Sequence, residues 1–133
     1  MILADYLIIA CENNIFERTK YMGARLPVLD SKLFMSRVDK PEFRFGDSNL
    51  GIGKMILHDS PKEGAKPYNF EMMADSRPVI SRNPYSENVM FNFGYGAWQY
   101  GLAFWGAAKI TEFIEYKDCP DEPLYSSKRF IKL

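Results

Sequence analysis

The chain has 133 residues, with 17 Lys plus Arg against 17 Asp plus Glu. That length suits one modest domain, and the zero net charge excludes nucleic acid or anionic lipid recruited by bulk electrostatics. Hydrophobic residues at 47% and aromatics at 15% are too abundant for a disordered chain, and without net charge they favour association with other proteins. Cys11 and Cys119 are the only cysteines and can form at most one disulfide; they are read as two reduced thiols. His58 is the only histidine, and no cluster has zinc-ligand spacing. The opening MILADYLIIAC is broken by Asp5 and has no basic region before it, unlike a signal peptide.

In chain order, residues 2–22 read as one short helix. Leu3, Tyr6, Leu7, Ala10 and Ile15 recur at roughly helical spacing, Gly23 suits the position after the helix, and Pro27 suits a stop. Residues 28–60 read as irregular, with a strand or short helix at 31–38 and turns around Pro41, Gly46, Gly51 and Gly53. Met55-Ile56-Leu57 is too short to assign. Residues 59–84 carry Pro61, Gly64, Pro67, Pro78 and Pro84, which predicts an extended segment. Tyr68, Phe70, Met72 and Met73 are its candidate anchors on a partner.

Asn83 and Pro84 read as a helix start, because Asn caps well and Pro is tolerated at the first helical position. Glu87 would sit in the first turn, Lys117 in the last, and Pro120 would stop the helix. A helix over 84–118 would be about 50 Å long. Residues 119–133 form a polar tail.

No charged residue occurs from Val89 to Ala108, and the run reads VMFNFGYGAWQYGLAFWGAA. Its length approaches the roughly 20 residues of a membrane-crossing helix, here placed at 88–110. Gly94, Ala97, Gly101 and Ala108 would form a small-residue face for close helix packing. Asn92 and Gln99 are costly in lipid, and Trp98 and Tyr100 sit at mid-span rather than at an interface. The competing reading is a strand. Val89, Phe91, Phe93 and Tyr95 alternate with Met90, Asn92, Gly94 and Gly96, with glycines marking bulges or turns inside an aromatic core.

Arg82-Asn83-Pro84-Tyr85 followed by FGYGAWQYGLAFWGAAKITEFIEY resembles the single-spanning accessory subunits of mitochondrial respiratory complexes, such as the beta-subcomplex subunits of NADH:ubiquinone oxidoreductase. Asn83 and Tyr85 stand where that family has an acidic residue and a tryptophan. The resemblance implies a subunit that braces a membrane arm and carries no redox centre. A second run, YGLAFWGAAKI, is similar to the closing strand of coat proteins of the HK97 type, although 133 residues are too few for that whole fold.

Enzyme chemistry is not advertised. The run from Ser48 to Met55 misses a phosphate loop, since Ser48 replaces its first Gly and Met55 its Ser/Thr. His58, Asp59 and Ser60 are adjacent and cannot converge as a triad. No catalytic, cofactor-binding or metal residue is expected, and no cofactor. The expected fold is mainly α with extended segments: a short N-terminal helix, a Pro-rich extended region within 1–83, a long helix over 84–118 and the tail. The expected function is a non-catalytic accessory subunit of an inner-membrane complex of respiratory type, in the mitochondrial inner membrane. Its expected partners are other protein subunits and membrane lipid, with no nucleic acid and no small-molecule substrate. The alternative is a soluble, β-rich assembly or virion protein.

Overall fold

A computed structural model describes residues 3–37, 50–52, 55–58 and 61–131. In chain order they form β1 (Leu7–Ile9), α1 (Ile15–Lys20), β2 (Val28–Arg37), β3 (Leu50–Ile52), β4 (Met55–His58), β5 (Lys66–Met73), β6 (Val79–Asn83), β7 (Ser86–Phe93) and α2 (Gln99–Glu115). Short 3-10 turns lie at Gly96–Trp98 and Ser127–Phe130. The chain divides into two units: Met1–Leu29 with Glu71–Leu133, and Asp30–Phe70 between them in sequence.

The first unit is built on a three-stranded sheet in the order β1-β7-β6. β6 and β7 form an antiparallel hairpin, and β1 joins β7 in parallel with Leu7 opposite Val89 and Ile9 opposite Phe91. Strand alternation sends side chains to two cores. One face carries Val79, Val89, Phe91 and Phe93, packed with Ile9, Ile15, Ala24, Leu26 and Met73. The opposite face carries Ile80 and Met90, packed with Tyr95, Ile110 and Phe113 from the turn and α2. Phe91 and Phe93 are fully buried, and their rings meet at 5.3 Å between centroids. Burying such a ring stabilises by about 1.5–3 kcal/mol.

The hydrophobic pattern places α1 as well. Its buried residues are Ile15 and Thr19, one turn apart. The Glu71 carboxylate accepts from the backbone N–H groups of Asn14 and Ile15, at 2.7 and 2.6 Å. Those are donors a helix start leaves unpaired. Gly23, at φ +80°, lets the chain leave the helix.

The second unit holds a sheet in the order β3-β4-β2-β5, with β2 and β4 antiparallel from Phe34 opposite His58 to Arg37 opposite Met55. Pro67 lies in β5, an edge strand, where a missing N–H costs no ladder bond inside the sheet. Ser48, Asn49, Gly53 and Lys54 of the phosphate-loop-like run, the turns around Pro41 and Gly46, and Asp59 and Ser60 lie outside the described residues.

The mainly α expectation is overturned: the described residues form seven strands and only two α-helices. The helix over 2–22 is instead β1, a turn and the six-residue α1. The Pro-rich extended region contains the ordered strands β5 and β6, and its anchors Phe70 and Met73 are buried. The long helix over 84–118 is two elements, β7 and then α2. No helix among the described residues is long and apolar enough to cross a membrane. That removes the span at 88–110 and single-span placement in the mitochondrial inner membrane. The physical reason is at Gly94, Tyr95 and Gly96. Both glycines have positive φ, +74° and +57°, and the buried Tyr95 between them turns the chain from strand to helix.

Asn83 and Pro84 do not start a helix. Asn83 ends β6, and the Asn83 side-chain oxygen accepts from the Tyr85 N–H at 3.1 Å across the hairpin turn. An Asn side chain makes this same local bond whether it caps a helix or closes a turn. The Asn83 amide then donates to the Met22 carbonyl at 2.9 Å, tying the hairpin to the segment after α1.

Candidate functional site

The charge-free run divides into a buried half and an exposed half. β7 buries Val89 through Phe91 and Phe93, whereas most of α2 before Lys109 faces outward. The inward side of α2 is Gly106, Ile110 and Phe113. Gly106 makes that approach close: a Cβ there would fall 2.6 Å from the Asn92 side-chain oxygen and would overlap the Tyr95 hydroxyl. Tyr95 donates its hydroxyl to Asn92, so two polar side chains are paired beneath the helix. Burial pushes the Tyr95 phenol up to about 12.

The far end of α2 is held by Arg82 from β6. Its guanidinium donates to the carbonyls of Phe113, Tyr116 and Cys119 at 2.9, 3.1 and 2.6 Å, and sits over the Phe113 ring at 4.6 Å. A cation there bonds the Phe113 carbonyl in the last turn of α2 and two carbonyls just beyond it, and suits the negative end of the helix dipole. On its other side, Arg82 lines a cleft of about 320 Å³ with Tyr6, Glu87, Asn88 and Lys117.

With those contacts fixed, the other face of α2 is presented to solvent. Gly101, Phe104, Ala107, Ala108 and Thr111 follow at spacings of three and four, on one side of the helix, and all are exposed. Phe104 is 85% exposed and Trp98, in the preceding turn, 56%. Trp105 flanks them and meets Tyr125 edge-on at 4.9 Å. The Thr111 hydroxyl donates back to the Ala107 carbonyl at 3.1 Å. The first charge along the helix is Lys109, at the margin of the face, paired with Glu112 at 2.6 Å. That hydrogen bond to Glu112 holds the Lys109 ammonium above its ordinary range. The face therefore offers aromatic and small apolar surface with the Thr111 hydroxyl at its end and no charge among Gly101, Phe104, Ala107, Ala108 and Thr111.

The predicted small-residue face does not exist as one face. Gly94 closes β7, and a Cβ there would lie 2.7 Å from the Met73 Cγ. Ala97 lies in the 3-10 turn. Only Gly101 and Ala108 are on α2, both exposed, and nothing lies within 4 Å of a Cβ built on Gly101. Sequence reasoning missed Gly106 and Arg82. Gly106 was legible as a small residue, but Tyr95 and Asn92, which require it, come from another element.

Among the described residues no three His, Cys, Asp or Glu side chains gather as a metal site. Neither Cys11 nor Cys119 is in a disulfide. No protein-family model, curated protein or solved structure matches the chain.

Proposed function

We propose that the chain is a non-catalytic structural component of a multi-protein assembly, joined to another protein subunit through the outer face of α2. The supporting observation is Phe104, almost wholly exposed in the middle of a charge-free helix face that also bears Trp98. Aromatic side chains of this size gain most when desolvated in a partner's pocket. The open floor at Gly101 and Ala108 lets a partner's side chain enter between them. The absence of charge calls for an equally apolar and uncharged partner surface, since a partner's charge buried there would have no counter-ion.

The test compares the full chain with its Phe104→Asp variant in extracts of the native source, sized under non-denaturing conditions. The wild-type chain is expected to elute far above the mass of one chain, and Phe104→Asp to leave that assembly while melting at an unchanged temperature. A wild-type monomer, an assembly containing only copies of this chain, or full retention of the variant would each overturn the reading.

A further inference from the structure

The three-stranded sheet of the first unit has two edges, and among the described residues only the β6 edge receives further backbone hydrogen bonds. Along β6 the segment 121–127 supplies the missing partners. The Ile80 N–H donates to the Tyr125 carbonyl at 2.9 Å, and the Arg82 N–H to the Asp121 carboxylate at 3.3 Å. The Ser127 N–H donates to the Ser81 hydroxyl at 3.1 Å. The other edge is β1, which among the described residues pairs only with β7. In a parallel pair alternate residues turn both backbone groups toward one neighbour, so the groups between them point outward. Among the described residues, Leu7, Ile8 and Ile9 make no backbone hydrogen bond beyond the ladder with β7.

The surface beside this edge is shaped as well as unpaired. Leu7 and Ile8 are each more than 40% exposed. An open cleft of about 470 Å³ runs along residues 7–11 and is walled by Arg18, Tyr21 and Met22. Burial pushes the Cys11 thiol up, with Arg18 pulling the other way, so Cys11 contributes a neutral, apolar wall. Arg18 is the single charge among the lining residues, and among the described residues no carboxylate pairs with it. Uncovered strand edges are unusual and templated for pairing. An extended chain satisfies one directly, with backbone bonds giving affinity and alternate side chains giving selectivity.

We propose that the outer edge of β1 binds an extended segment of a partner protein as an additional strand. An apolar side chain of that segment fills the cleft, and an acidic side chain two residues away meets Arg18. Two residues is the spacing that keeps both side chains on one face of the added strand. This site is separate from the outer face of α2 and stands without it.

The probe is the blocked peptide acetyl-Thr-Val-Thr-Glu-Thr-amide, titrated to millimolar concentration into the full-length protein and followed by nitrogen–proton correlation spectra. Two control peptides accompany it, one with Glu replaced by Lys and one with N-methyl groups on alternate backbone amides of the pairing edge. The expected result is shifts at Leu7 to Ala10, Arg18 and Tyr21, with binding weakened about tenfold for each control. Arg18→Glu, at an exposed position that leaves the fold intact, is expected to remove the preference for Glu over Lys. Absence of shifts at β1, equal binding of the N-methylated peptide, or shifts confined to α2 would overturn the proposal.

Discussion

The inner and outer faces of α2 carry the same kinds of residue and treat them in opposite ways. Gly106 is inward and has no room for a methyl group; Gly101 is outward and has nothing within 4 Å. Phe113 is buried under the Arg82 guanidinium, while Phe104 stands in solvent. Composition therefore does not distinguish the buried face of this helix from its exposed face. What distinguishes them is whether polar groups of the same chain have been satisfied beneath the helix, as Tyr95, Asn92 and the terminal carbonyls are on the inner side.

That contrast can be broken by substitution. The largest effect is expected for Arg82→Met, which strips charged hydrogen bonds from three carbonyls at and just beyond the end of α2. Charged hydrogen bonds contribute roughly 1.5–3 kcal/mol each, so a loss of about 3 kcal/mol in denaturant unfolding is expected after partial compensation by water. Gly106→Ala comes next, with a loss of about 2 kcal/mol from overpacking against Tyr95 and Asn92. Gly101→Ala is expected to do the reverse and stabilise by roughly 0.5–1 kcal/mol, because Ala is the better helix former and meets no obstacle. Equal effects at Gly101 and Gly106 would erase the distinction between the two faces.

Alkaline titration sharpens the same contrast. The folded Tyr95 phenol titrates near 12 against an ordinary value of 10.0. The folded state thus holds the proton more tightly than the unfolded chain. The stabilisation is complete below pH 10 and lost as pH rises toward 12. Melting temperatures measured across that window should fall more steeply for the wild-type chain than for Tyr95→Phe.

The sequence made some of this legible. The strand spacing of Val89, Phe91 and Phe93 is the spacing of β7, and the lack of charge up to Ala108 is the lack of charge on the outer face of α2. The error lay in treating the run as one element. Two periods, two residues and 3.6, meet at Gly94-Tyr95-Gly96, and averaging across them imitates a single long apolar helix. Asn83 and Pro84 misled for a local reason, because the Asn side chain bonds the same N–H in a hairpin turn as in a helix cap. The edge at β1 had no sequence signal, since only the sheet order shows that no described strand follows Leu7–Ile9 on its far side. The polar tail showed no periodicity, yet Ser127 is fully buried against Ser81 and covers the opposite edge.

The parallel register between Leu7–Ile9 and Val89–Phe91 sets the order of assembly on the ribosome. Parallel neighbours cannot be joined by a tight turn, and here about eighty residues separate them, including all of the Asp30–Phe70 unit. Leu7–Ile9 therefore waits without its β7 partner until Val89–Phe91 has been synthesised. The first unit closes only after Glu71–Leu133 is available to join Met1–Leu29.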